Sequence, residues 1–133
     1  MALLAKMRRE SGGQALVEFA LVLPLLLLLL MAVFEFGNIF HSYLTITNAA
    51  REGARLGVVN PDADIENCVR TVCSALDTAQ LEITVAPQDP VNRKPGYYLT
   101  VDVRYKVFLI TPLLSNFLPD PLDISARSVM RIE

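Results

Sequence analysis

Between Ala15 and Phe34 the chain runs for twenty residues in which only Glu18 and Pro24 are not apolar. At 1.5 Å of rise per residue, a helix of that length reaches about 30 Å, the thickness of a bilayer's hydrocarbon core. Six consecutive leucines, Leu25 to Leu30, occupy its middle. A cleaved secretory signal usually has a shorter apolar region that ends at a small-x-small site. Met31-Ala32-Val33-Phe34-Glu35-Phe36 offers no such site, so the run is expected to stay on the protein as an anchor. Lys6, Arg8 and Arg9 precede it, and no Lys or Arg follows until Arg51. The excess of cations on the short N-terminal side predicts a single-pass protein with its N-terminus in the cytoplasm and its C-terminal part outside.

Only 96 residues follow Gly37, enough for one small domain. The expected organisation is therefore a basic leader over 1–13, a membrane helix over 14–37 and an outer domain over 38–133. The leader carries a side-chain charge of +2, leaving −4 on the remainder of a chain whose net charge is −2. An acidic remainder without a basic run argues against a nucleic-acid partner.

Two residues break the apolar pattern. An ionised Glu18 near the start of a spanning helix costs on the order of a few kcal/mol unless it is shallow, protonated or paired. It either reaches headgroups and water one turn inside the interface or meets a cation supplied by another chain; its surroundings in the sequence favour the second. Pro24 cannot donate to the Ala20 carbonyl and crowds it, which predicts a kink or softened turn. Such a bend is either a harmless irregularity of a membrane helix or a device that lets the helix adjust when it enters an assembly.

The sequence Arg8-Arg9-Glu10-Ser11-Gly12-Gly13, followed by Gln14-Ala15-Leu16-Val17-Glu18-Phe19 and an apolar helix, resembles a prepilin processing site. It is most similar to the TadE/TadG-like minor pilins or pseudopilins of the tight-adherence (Tad, Flp-type) pilus system. Asn48-Ala49-Ala50-Arg51-Glu52-Gly53-Ala54-Arg55 and the ending Arg127-Ser128-Val129-Met130-Arg131 also resemble that family. The resemblance implies that a prepilin peptidase cuts after Gly13 on the cytoplasmic face of the inner membrane. It also implies other pilin or pseudopilin subunits, an inner-membrane assembly platform and membrane lipid as partners. Glu18 would be the fifth residue of the mature chain and Phe19 the sixth. Major pilins of this system usually carry tyrosine where Phe19 stands and are far shorter, which points to a minor component. Cleavage would free an α-amino group on Gln14, with a reference pKa of about 8 and hence largely cationic. That amine can pair with Glu18 of a neighbouring subunit, and removing one partner from such a buried pair costs roughly 3–5 kcal/mol.

Beyond the membrane segment Phe36, Ile39, Phe40, Tyr43, Ile46, Ala50 and Ala54 recur at three- and four-residue intervals. This stripe predicts one long helix from about Gln14 to Leu56, ended by Gly57 and Asn60-Pro61. The small-residue row Ala49, Gly53, Gly57 allows close approach, to the protein's own sheet rather than to another subunit. Arg51 and Arg55 are expected to meet solvent or a carboxylate of the head, with Glu52 partly offsetting their repulsion.

A second helix is expected over Asp62 to Ala79, capped by Asp62 or Asp64. Cys68 and Cys73 lie five apart, too far along a regular helix for a disulfide. An oxidising outer compartment nevertheless favours a bridge through a distorted segment; the alternative leaves Cys73 as a buried thiol. Leu81–Val85, Leu99–Val107 and Leu122–Met130 each alternate apolar and polar residues. Three such strands predict an antiparallel sheet covered on one side by the helices, an α+β fold. Leu113, Leu114, Phe117 and Leu118 in the second connection are expected to tuck into the domain's own core.

Signs of catalysis are few. The sequence has no phosphate loop, no nucleophile elbow and no metal-ligand cluster, and His41 stands alone. Glu35 and Asp102 are expected as an interfacial charge and a solvated sheet position. No enzyme activity, cofactor or metal is anticipated. The main expectation is a structural pilus-assembly component. Its alternative is an uncleaved, signal-anchored envelope protein whose outer domain binds another protein.

Overall fold

The computed structural model describes the backbone of residues 2–111, 116 and 118–133, with side chains from Gly13 onward. The chain divides into two compact units, Met1–Phe36 and Gly37–Glu133. One helix, α1 (Ala2–Val59), contributes to both. It begins twelve residues earlier than the sequence pattern predicts, because Ala2 to Glu10 is composed almost wholly of good helix formers. It also passes Gly57 instead of ending there. Gly57 is buried in a packed interface, and the helix stops only where Asn60 precedes Pro61, a position that disfavours helical backbone. The Asn60 amide still donates to the Leu56 carbonyl at 2.8 Å, and the Asn60 Oδ1 then accepts from the Asp62 amide at 3.2 Å.

In the first unit the helix is apolar on every side. Leu16, Phe19, Leu21 and Phe34 are 59–77% exposed, so nothing within this unit covers them.

The second unit is an α+β head. The helix α2 (Ile65–Val72) starts from Asp64, whose Oδ1 accepts from the Asn67 amide at 3.0 Å. It is shorter than the expected span from Asp62 to Ala79. The Ser74 and Leu76 amides turn back to carbonyls only three residues away, and the Asp77 carboxylate then takes the Ala79 amide at 3.0 Å. This side chain starts a separate 3₁₀ turn, Thr78–Gln80, in competition with the helix.

The three strands are β1 (Leu81–Ala86), β2 (Tyr98–Val107) and β3 (Leu122–Arg131), antiparallel in the order β1-β2-β3. They fall within one residue of the expected ranges. Ile83 faces Val103, and Val103 faces Ala126, so apolar positions align in register across the sheet. That face packs on Ile46, Ala49, Ala50 and Ala54 of α1 and on Ile65 and Val69 of α2.

The small-residue row lies inside this core. A Cβ on Gly53 would stand 2.7 Å from Val69 Cγ2, and one on Gly57 would stand 2.6 Å from Leu99 Cδ2 and closer still to Ile65. The row therefore lets α1 approach α2 and β2 of its own head. Gly96 is a different case: its φ of +90° closes the first hairpin, where its amide donates to the Ile132 carbonyl at 2.8 Å.

That hairpin also holds Arg93, 8% exposed, which nothing in the sequence pattern marks as an interior residue. Its guanidinium donates to the carbonyls of Pro61 (2.6 Å), Gln88 (3.1 Å) and Pro87 (3.2 Å), tying the α1–α2 turn to the β1–β2 loop. Of the apolar residues expected to tuck in from the second connection, Leu118 is half-buried. Leu113, Leu114 and Phe117 lie outside the described residues.

The glycine contacts give a paired prediction. Gly57→Ala should destabilise the head by about 1–3 kcal/mol through overpacking. Gly37 has nothing within 4 Å, so Gly37→Ala should stabilise by about 0.5–1 kcal/mol through helix propensity. Urea unfolding of the full chain in neutral detergent, followed by tyrosine near-UV dichroism, checks both.

Candidate processing and assembly site

The residues singled out at the N-terminal end of the apolar segment all lie on α1. Gln14 and Glu18 are one helical turn apart, and the Gln14 Nε2 donates to the Glu18 Oε1 at 3.1 Å. Glu18 thus has a neutral partner on its own chain, and the contact leaves its second oxygen for others. Gly13 has no heavy atom within 4 Å of the position a Cβ would take, so this side of the helix is open to an approaching protein. Phe19, next to Glu18, is 59% exposed. Gly13–Gln14, the bond the resemblance nominates for cutting, is part of helical backbone. Pro24 also lies inside the helix, which continues on both sides of it.

Farther along α1, Glu35 and Ser42 are each 2% exposed. Their sevenfold spacing, continued by Ala49, puts them on one stripe of the helix. Glu35 is therefore a buried residue and not the interfacial charge expected of it. Glu52 and Arg55 form an ion pair along the helix, and the hydrogen bond from Arg55 holds the Glu52 carboxyl below its ordinary range. Arg51 is exposed.

Asp102 also differs from expectation. Its side chain is 13% exposed, with the Arg127 Nη2 at 2.7 Å from Oδ2 and the Arg104 Nε at 3.7 Å from Oδ1. Arg127 stands directly across from it in the β2–β3 register. The arrangement is a cross-strand ion pair, not a solvated position.

Cys68 and Cys73 are free thiols, so the expected bridge is not formed. The backbone between them is not distorted in the way a bridge requires: Cys68 donates to Asp64 and Cys73 to Val69, both with ordinary helical spacing. Five residues of regular helix rise about 7.5 Å, beyond the reach of a disulfide. Burial pushes both thiols above their usual pKa. Among the described residues no group of three His, Cys, Asp or Glu side chains could hold a metal ion.

Among the described residues one helix is long and apolar enough to span a bilayer, as a single-pass anchor requires, and the same helix continues into the residues of a small α+β head. Residues 13–55 match the model of the family described as TadE-like protein. The matched stretch starts at the Gly13 singled out above and contains Glu18, Phe19 and Pro24. Over that stretch the chain is similar to TadE-like proteins, as the sequence motifs indicate. No curated protein and no solved structure matches the chain.

The raised thiols carry a prediction with a definite sign. Below an unfolded thiol pKa of about 8.5 the neutral thiols stabilise the head in full, and this contribution is lost as pH rises, because the unfolded state ionises first. Stability should therefore fall above that pH, and Cys73→Ala should flatten the slope in urea titrations. At neutral pH, maleimide should label Cys68 slowly and leave Cys73 unlabelled until denaturant is added.

Proposed function

We propose that this protein is a minor pilin or pseudopilin of a Tad-type pilus, anchored in the inner membrane with residues 1–13 in the cytoplasm and residues 38–133 outside. A prepilin peptidase removes the leader by cutting Gly13–Gln14, and the apolar helix over 14–37 remains on the mature chain. The observation that carries this reading is the match over residues 13–55, which opens at the nominated glycine and includes Glu18 on an exposed helix face.

The chemistry is consistent with those roles. Gly12 and Gly13 each lower helix stability by about 1 kcal/mol relative to alanine, so the helix is weakened where a peptidase must open it. Cutting converts the Gln14 amide nitrogen into an ammonium. On its own chain the Gln14 side chain already reaches Glu18 through a neutral amide. The new ammonium is free to seek the carboxylate of a neighbour, with one axial offset between subunits satisfying both charges. Pro24 removes one backbone hydrogen bond from the middle of this region, which eases bending as the helix passes from lipid into an assembly. The partners of this reading are the peptidase, other pilin or pseudopilin subunits and the assembly platform.

A second reading rests on one observation. Helical backbone runs through Gly13 without a break, which suits an uncleaved signal anchor whose head is a protein-binding module.

Mass spectrometry of the chain co-expressed with the peptidase separates the two readings. The pilin reading predicts a mature N-terminus at Gln14, and a chain that still begins at Met1 supports the uncleaved anchor. Glu18→Ala should leave cleavage intact. It should reduce incorporation into pili by about 100-fold, the equivalent of losing roughly 3 kcal/mol from a buried pair. Quantitative immunoblotting of sheared pili reads that loss.

A further inference from the structure

The sheet has an unpaired edge at β1, and the surroundings of that edge are shaped. A groove of ≈ 550 Å³ is lined by Ile83, Thr84 and Val85 together with the turn into α2 and the first hairpin loop. Consecutive strand residues point to opposite faces of a sheet. A groove that touches three in a row therefore runs along the strand's edge, where every second residue turns its N–H and C=O outward. Ile83 and Val85, both only half-buried, supply apolar surface to it.

Sheet edges are normally blunted by proline, lysine, bulges or a covering element. Leu81–Ala86 contains no proline or lysine, and its one charge is Glu82. Among the described residues no strand pairs with this edge. The opposite wall of the groove is acidic, with Asp62, Asp64 and Glu66 all exposed. Three carboxylates against one cation, Arg93, leave the lining net acidic, and the Arg93 guanidinium is directed into hydrogen bonds with the carbonyls of Pro61, Pro87 and Gln88. Those same bonds brace the two loops that frame the groove.

We infer that the β1 edge is a docking site for an extended segment of a partner protein in which aliphatic and basic residues alternate. The segment adds a fourth strand to the sheet. Its backbone pairs with β1, its aliphatic side chains lie against Ile83 and Val85, and its Lys or Arg side chains meet Asp62, Asp64 and Glu66. Strand addition draws affinity from main-chain hydrogen bonds and specificity from the side chains that alternate along the added strand. This surface belongs to the head alone, so the inference stands whether or not Gly13–Gln14 is cut.

The test uses the full chain in neutral detergent and two synthetic nine-residue peptides, one alternating valine with lysine and one alternating valine with glutamate. Fluorescence anisotropy should show binding of the lysine peptide and at least about tenfold weaker binding of the glutamate peptide. Asp62→Lys with Glu66→Lys should invert that preference; both residues are exposed and neither caps α2, and circular dichroism checks that the fold is kept. Hydrogen exchange should show the bound lysine peptide slowing β1 amides and leaving β3 amides unchanged. Equal binding of both peptides, binding without protection of β1, or no binding at millimolar peptide would overturn the proposal. Self-association of the chain that protects β1 and that the lysine peptide cannot displace would also overturn it, by assigning the edge to a second copy.

Discussion

The structure depends on the apolar surface of α1, which has two different environments to satisfy. From Leu16 to Phe34 the side chains are exposed all round the helix, and a surface of that extent is incompatible with water. From about Ile46 onward one stripe is buried completely under the sheet and α2. At roughly 25 cal/mol per Å² the buried stripe is what stabilises the head, whereas the exposed segment contributes nothing until lipid or another helix covers it. The same element is thus a finished core on one side of Gly37 and an unfinished one on the other.

That contrast explains the placement of polar and small residues. Gly53 and Gly57 sit where α1 must approach Val69, Ile65 and Leu99, and each would be crowded by a Cβ. Gly13 and Gly37 touch nothing, so packing does not explain them. At Gly13 the explanation offered is processing. Glu18, in the exposed segment, is held by Gln14 of its own chain and retains an oxygen for a further donor. In the head, by contrast, Asp102 is closed in by Arg127 and Arg104 and serves the sheet.

Much of the fold was legible in the sequence because its signals are periodic. Strict alternation over Leu99–Val107 and Leu122–Met130 gave strands whose observed ends differ by one residue, and the three- and four-residue stripe gave the face of α1 that is buried. What escaped were features decided by single side chains. The Asp77 carboxylate accepts from the Ala79 amide two residues on and splits the expected second helix, a choice that helical periodicity does not register. Arg93 lies in a loop rich in proline and charge, and its burial follows from three carbonyls gathered from two distant turns. Glu35 looked like an interfacial charge, although its spacing from Ser42 and Ala49 was the available sign of a buried stripe. The compartment argument for a Cys68–Cys73 bridge lost to helix geometry. The residues proposed for processing stand out as a motif, and that proposal draws on the motif more than on geometry.

The central claim is that α1 changes surroundings along its length, from lipid on all sides to head on one side. Spin labels placed singly from 16 to 58 on the full chain in phospholipid vesicles report this directly through their accessibility to oxygen and to a water-soluble relaxant. The account predicts uniformly high oxygen accessibility over 16–34 and, from about 46, a 3.6-residue oscillation whose minima fall on Ile46, Ala50 and Ala54. Oscillating access to the water-soluble relaxant within 16–34 would contradict it, since one face of that segment would then lie in water.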